Sequence, residues 1–267
     1  MRSSRLVLST PEFGVHVVDC AERHRHWSAP EVPGTAGIVL PRRGIFRLLS
    51  DGREQTVDPT TGYLQTPGEE QRFAHPAGGD VCTYISVREP LWHTIVGAEP
   101  ASPVHVDGRV ELAHRLLLRT EHDAADPVER LVHTLAAASR PSRFPTRPGH
   151  ADLADRARQA ILADAPESAD LVRLARALRV SPSHLSRTFH SHVGMTVSRY
   201  RNRIRISRVL AHFEEGETDL ARLALTVGFA DQAHLSRAVR AELGDSPARL
   251  RRLFRSFGLS MNRHAKG

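Results

Sequence analysis

Ser183-His-Leu-Ser-Arg187 returns fifty residues later as Ala233-His-Leu-Ser-Arg237. At the same offset Gly194-Met-Thr-Val-Ser-Arg-Tyr-Arg201 returns as Gly244-Asp-Ser-Pro-Ala-Arg-Leu-Arg251, and Ser181 is matched by Asp231. Three matches at one offset mark two copies of one supersecondary unit. Each copy reads as helix, tight turn, helix. In the first, Leu171, Leu174, Ala175 and Leu178 make an apolar stripe, Ser181 is the cap, Pro182 takes the first helical position, and Leu185 and Phe189 pack the next helix inward. In the second, Leu220, Leu223, Ala224 and Val227 make the stripe. Gly228 supplies a left-handed turn residue, Phe229 plugs the corner, Asp231 caps, and Leu235 and Val239 point inward. The small Ala in each stripe allows the close helix crossing of a helix-turn-helix.

Between the copies, residues 196–213 read as one helix of about 18 residues and about 27 Å. It carries Arg199, Arg201, Arg203, Arg205 and Arg208. A rigid helix of that length would space two reading helices for successive major grooves, which lie about 34 Å apart. Arg199, Arg201 and Arg205 are its candidates for phosphate contact, with internal ion pairs as the competing role.

Charge supports the same reading. The chain has a formal net charge of +7 over 267 residues. Residues 1–148 hold 17 Arg+Lys against 18 Asp+Glu, whereas residues 149–267 hold 20 against 12. The basic excess therefore sits in the back half, as a polyphosphate partner requires. A solvated basic surface would give the same total, so charge alone decides nothing. The two cysteines, Cys20 and Cys82, do not suggest a disulfide scaffold. No apolar run suits a membrane span or an export signal, so a cytoplasmic protein with no membrane partner is expected.

Working outward, residues 1–105 read as β structure. Gly37-Ile-Val-Leu40, Gly44-Ile-Phe-Arg-Leu-Leu49 and Val81-Cys-Thr-Tyr-Ile-Ser-Val87 are short strand-like runs. Asp51-Gly52 is a hairpin turn, and Thr61-Gly62, Pro67-Gly68 and Pro76-Ala-Gly-Gly79 read as further breaks. Many short strands with frequent turns predict a sandwich or small barrel. Leu112, Leu116 and Leu117, then Leu131 and Leu135, fall at helical spacing, and Asp126-Pro127 opens the second of these helices. Residues 139–149 read as a Pro-rich linker. The expected division is 1–105, 106–148 and 149–267: a β domain, a helical dimerisation segment with its linker, and a double helix-turn-helix module.

The outward face of each second helix, near 181–192 and 231–243, is the candidate reading surface. It offers Ser183, His184, Ser186, Arg187 and His190 in the first copy, and Gln232, His234, Ser236, Arg237 and Arg240 in the second. Arg can pair with guanine and Gln with adenine at the helix end that enters the groove. An ordinary solvated helix face is the competing reading.

Residues 151–255 resemble the DNA-binding domain of the AraC family of bacterial regulators. The stretch Leu220-Ala-Arg-Leu-Ala-Leu-Thr-Val-Gly-Phe-Ala-Asp-Gln-Ala-His-Leu-Ser-Arg237, followed by Gly244-Asp-Ser-Pro-Ala-Arg-Leu-Arg251, is similar to that family's signature segment. The resemblance implies base-facing roles for Ser183, Ser186, Arg187, Gln232, His234, Ser236 and Arg237. Three departures stand out. Arg179 occupies a turn position where Gly is usual, Val239 replaces an aromatic, and Ser183 and Ser186 are small for discriminating bases.

The family also implies an α+β architecture: an N-terminal cupin-like β-barrel, a helical linker and a C-terminal all-α double helix-turn-helix domain. In such proteins the barrel binds a small-molecule effector or makes a homodimer, and RNA polymerase is a further partner. Residues 62–68 are similar to the turn of a cupin motif. Candidate effector or metal residues in the front domain are Cys20, His24, His26, Glu31, His75 and Cys82. Strand alternation would place His24 and His26 on one face, as a ligand pair needs. Partly exposed strand and loop histidines are the competing reading, and no resident cofactor is expected. Trp27 and Phe73 suit an apolar pocket or a core equally well. Two other functions compete with the ligand-responsive regulator. One is an effector-independent dimeric DNA binder. The other is a metal-dependent cupin enzyme fused to a DNA-binding domain. The chain shows no nucleophile elbow, phosphate loop or paired catalytic carboxylates, so no enzyme is expected.

Overall fold

Asp51-Gly52 makes the expected hairpin. Strands β4 (Phe46–Ser50) and β5 (Arg53–Val57) pair antiparallel with Ser50 opposite Arg53. Asp51 and Gly52 both have positive φ, 49° and 70°, as a two-residue type I′ turn requires. The computed structural model describes residues 2–89, 91–96, 102–119 and 150–261. The expected helix opening at Asp126-Pro127 and the Pro-rich linker lie outside the described residues.

The remaining strands are β1 (Arg2–Ser9), β2 (Phe13–Cys20), β3 (Gly37–Arg43), β6 (Thr61–Gln65), β7 (Gln71–Ala74), β8 (Asp80–Val87) and β9 (Val104–His105). They form a six-stranded sheet in the order β1-β2-β8-β3-β6-β9 and a three-stranded sheet in the order β5-β4-β7. Alternation along β3 shows how the larger sheet is covered. Ile38 and Leu40 join a cluster with Trp92 and Ile95 of α1 (Leu91–Val96) and with Val110 and Leu117 of α2 (Gly108–Leu117). Val39 faces the other way, into a cluster with Phe46, Leu48, Val57, Tyr63 and Cys82 between the two sheets. The front domain is thus two antiparallel sheets packed face to face. Among the described residues they do not close into a barrel.

One expected break is a strand instead. Gly62 sits inside β6, where a Cβ would come 2.4 Å from the carbonyl oxygen of Val39. The glycine marks a close approach of two backbones, not a turn.

The helices of the back half are α3 (His150–Leu162), α4 (Leu171–Ala177), α5 (Pro182–Val193), α6 (Val197–Glu214), α7 (Leu220–Thr226), α8 (Gln232–Leu243) and α9 (Pro247–Met261), with a 3₁₀ turn at Pro166–Ala169. Helix α6 is a single 18-residue helix, matching the reading of 196–213 within one residue at each end. Among the described residues no helix is long and apolar enough to cross a membrane.

The described residues divide into two compact units, one holding those up to 119 together with 205–261, the other 150–204. The core of the second unit is built from Leu153, Ala157, Ile161, Leu174, Ala175, Leu185, Phe189, Tyr200 and Ile204. In the first unit, Val209, Leu210, Phe213, Leu223, Val227, Phe229, Leu235, Val239, Leu250 and Phe254 form a helical core beside the β domain.

Helix α2 joins that helical core to the sheets. Val110 and Leu117 belong to the β-domain cluster, while Leu112 and Leu116 pack against the helical cluster. Between these stripes lie Glu111 and Arg115, both buried. Arg115 Nε donates to Glu111 Oε1 at 2.8 Å, and its Nη1 donates to Glu214 Oε2 of α6 at 2.7 Å. Arg42 at the end of β3 donates to the same Glu214 oxygen at 2.6 Å, and Ser207 Oγ donates to Glu111 Oε1 at 2.5 Å. Two guanidinium groups and two carboxylates thus balance inside one junction. Both apolar stripes of α2 pack within the chain.

Candidate nucleic-acid interface

Helices α5 and α8 start and stop by the same chemistry. Ser181 Oγ accepts from the backbone N–H of His184 at 3.2 Å, and Asp231 Oδ1 accepts from that of His234 at 2.7 Å. Each helix ends on a glycine with positive φ, Gly194 at 73° and Gly244 at 77°. Residues 181–190 and 231–240 also share one burial sequence, differing only at Thr188 and Ala238. Leu185 with Phe189, and Leu235 with Val239, are buried. Ser183, Arg187 and His190 are exposed on α5, as are Gln232, Arg237 and Arg240 on α8. His184 and Ser186, with His234 and Ser236, are half-buried. The His234 ring meets Phe229 edge-on at 5.1 Å, so it also packs against the turn.

The turns of the two copies differ. The first helices and their caps, Asp170 and Asp219, repeat at an offset of 49, whereas the reading helices repeat at 50. The extra residue lies between Val227 and Asp231. In the shorter first turn Arg179 adopts φ 59°, and in the longer one Gly228 adopts φ 87°. A left-handed non-glycine residue costs about 1–2 kcal/mol, partly offset by the entropy a glycine would lose. Arg179→Gly is therefore expected to stabilise the second unit by up to about 1 kcal/mol. Chemical unfolding followed by far-ultraviolet circular dichroism checks this, and a destabilised variant would mean that the Arg179 side chain holds the turn.

The arginines of α6 are not equivalent. Arg199 is exposed, Arg201 is half-buried and Arg203 is buried. Arg205 lies 5.7 Å over the Phe229 ring, and a Cβ on Gly228 would meet its guanidinium at 3.1 Å. Arg205 therefore packs against the second turn, and Arg199 is the more accessible phosphate candidate.

A family of helix-turn-helix domains matches residues 174–253. Residues 174–253 are a helix-turn-helix domain. Among curated proteins, the HTH-type transcriptional activator RhaS of Escherichia fergusonii is 34% identical over 79 residues. That match covers 30% of this chain, and the chain spans only 27% of the length of RhaS. Among solved structures, ToxT from Vibrio cholerae O395 aligns over 92% of this chain and 99% of its own, at 13% identity and a TM-score of 0.38. A cupin superfamily protein from Desulfitobacterium hafniense DCB-2 aligns over 33% of this chain and 79% of its own, at 10% identity and a TM-score of 0.28. Likenesses this distant say nothing of what the chain does.

Outside the helix-turn-helix domain, the front-domain candidates divide. Cys20, His75 and Cys82 come together. Cys20 Sγ lies 3.6 Å from His75 Nε2, and Cys82 Sγ donates to Asp80 Oδ2 at 3.1 Å. Burial pushes both thiols above their ordinary pKa, Cys82 strongly. His24 and His26 lie in a loop and not on a strand, because the polar and Pro-containing stretch around them has little strand propensity. They do not form a ligand pair: His24 Nδ1 bonds to the carbonyl oxygen of His26 at 2.7 Å, and His24 Nε2 pairs with Glu22 at 3.0 Å. The His26 carbonyl and Glu22 both raise the pKa of His24. Glu31 is engaged elsewhere, by Arg2 at 2.8 Å. Trp27 lies under Arg47, and Phe73 packs at the inter-sheet core. Asp80 and Glu22 were not singled out from sequence. Strand alternation offered a signal for Asp80, since it lies two residues before Cys82 and so on the same face.

Proposed function

We propose that this chain is a sequence-specific, DNA-binding regulator of transcription. In this reading α5 and α8 each enter a major groove, on successive turns of one face of double-stranded DNA. The observation that carries it is the shared burial sequence of 181–190 and 231–240, which leaves matching polar faces outside two capped helices. The basic balance of residues 149–267 and the helix-turn-helix domain support the same partner.

In the bound complex Arg187, Gln232 and Arg237 contact base edges, with Ser183, Ser186 and Ser236 beside them. His184, His190, His234 and Arg240 flank that surface, and Arg199 contacts phosphate. The front domain takes a small-molecule effector, and the junction of Arg42, Glu111, Arg115 and Glu214 transmits its occupancy to α6. A homodimer that recruits RNA polymerase completes the reading, with no enzymatic step assigned.

Selection of bound sequences from random duplex DNA by the full chain tests the proposal. A two-part enriched sequence is expected, and the absence of any enriched sequence would refute it. Arg237→Ala should then weaken the selected site by about 1–3 kcal/mol and relax preference at one base step. Arg199→Ala should weaken all sequences alike and reduce the salt dependence by about one ion. Binding titrations at several salt concentrations separate the two outcomes.

A further inference from the structure

We infer that the front domain binds one zinc ion through Cys20, His75 and Asp80. This inference runs against the expectation of no cofactor and does not depend on DNA reading.

The three residues come from distant parts of the sequence and meet because of strand pairing. Cys20 ends β2 and is the register partner of Asp80, which opens β8, so their side chains share one face. His75 follows β7, and its backbone N–H donates to the carbonyl oxygen of His24 at 2.8 Å. Its ring stacks on Phe46 at 5.5 Å, at the edge of the inter-sheet core. Gly79 lets the loop press against β2, since a Cβ there would lie 2.3 Å from the carbonyl oxygen of Cys20.

One ligand atom from each residue lies within 4.8 Å of the other two, and all three residues are buried. Cys20 Sγ and His75 Nε2 are 3.6 Å apart, and His75 Nε2 and Asp80 Oδ1 are 3.0 Å apart. Around a tetrahedral zinc ion, bond lengths of about 2.3 Å to sulfur and about 2.0 Å to nitrogen place those two atoms about 3.5 Å apart. The three groups satisfy one another only in part, through the hydrogen bond between Cys20 Sγ and His75 Nε2. Although Asp80 Oδ1 is close enough to His75 Nε2 for an ion pair, it has no hydrogen-bond partner, and neither does His75 Nδ1. Burying such atoms unbonded is costly, and a cation between thiolate, imidazole and carboxylate removes the cost at Asp80. Cys82 holds the other carboxylate oxygen of Asp80 and so orients the ligand from outside the coordination shell. Sulfur, nitrogen and carboxylate together suit zinc better than magnesium or calcium. Three protein ligands leave a fourth position for an exchangeable donor.

Glu22 and His24 form a neighbouring set with His75, but they are only partly buried and already pair with each other. They are expected to lie outside the shell.

The test uses the full chain, stripped with a chelator and titrated with Co²⁺ as a spectroscopic substitute. One equivalent should produce tetrahedral cobalt bands with a thiolate-to-cobalt charge-transfer band, and Zn²⁺ should displace both. Cys20→Ser should abolish the charge-transfer band, and His75→Gln and Asp80→Asn should lower affinity by more than about 100-fold. Cys82→Ala should keep the band and lose about 10- to 100-fold in affinity. Glu22→Gln and His24→Gln should bind as the wild type does. No stoichiometric cobalt signal would overturn the assignment. So would a charge-transfer band that survives Cys20→Ser, or a loss in Glu22→Gln or His24→Gln as large as in the ligand variants. In case a ligand variant fails to fold, the wild-type chain gives a second measure. Zinc must raise its melting temperature, and an unchanged melting temperature overturns the site.

Discussion

Arg115→Met should destabilise the first unit by about 3–5 kcal/mol. Arg115 is 2% exposed and Glu111 is fully buried, so removing the guanidinium strands a carboxylate that water cannot reach. Glu111 would lose its buried guanidinium partner, and Glu214 one of the two arginines that bond its Oε2. The double variant Arg115→Met with Glu111→Met should be more stable than Arg115→Met alone, because one charge of each sign has gone and the Arg42–Glu214 pair survives. Urea unfolding of the full chain, followed by tryptophan fluorescence, is the appropriate measurement. Both tryptophans, Trp27 and Trp92, lie in the front domain and report on this unit. A single variant costing under about 1 kcal/mol, or a double variant as damaged as the sum, would mean the junction is solvated and unimportant. The same junction is where effector occupancy is proposed to reach α6. Under that proposal, Arg115→Met should also uncouple DNA affinity from the effector.

Phe189→Ala is the second large effect, expected in the other unit at about 3–5 kcal/mol. The ring is fully buried and meets Tyr200 edge-on at 5.3 Å, in a core built from α3, α4, α5 and the start of α6. A unit of this size holds a stability of about 3–8 kcal/mol, so the loss takes most of it. Hydrogen exchange should therefore accelerate across 150–204 while tryptophan fluorescence, which reports the first unit, stays unchanged. Exchange that accelerates equally in both units would show that they unfold as one.

The parts of this structure that could be read from sequence are those set by local chemistry. Asp51-Gly52 needed only its own φ angles, and the caps at Ser181 and Asp231 needed only the next turn of helix. The repeat exposed the reading helices because identical neighbours bury identical positions. What escaped notice depends on distant pairing. Glu111 and Arg115 look like an ordinary helical ion pair until Arg42 and Glu214 arrive from β3 and α6. Asp80 joins Cys20 and His75 only through the register of β2 with β8. Gly62 looked like a turn because an isolated glycine does not announce the backbone packed against it. His24 and His26 have the spacing of a strand pair, but the polar stretch around them forms a loop. The extra residue in the second turn was hidden because the reading helices alone set the apparent offset of fifty.

The most direct measurement is sequence preference with one helix altered at a time. The full chain carrying Arg187→Ala, and separately Arg237→Ala, is profiled against a library of variants of the selected DNA site. If α5 and α8 each read their own part, Arg187→Ala should relax preference in one half of the site only, and Arg237→Ala in the other half only. If both substitutions relax the same base pairs, or neither changes any preference, the two helices do not read DNA as a pair.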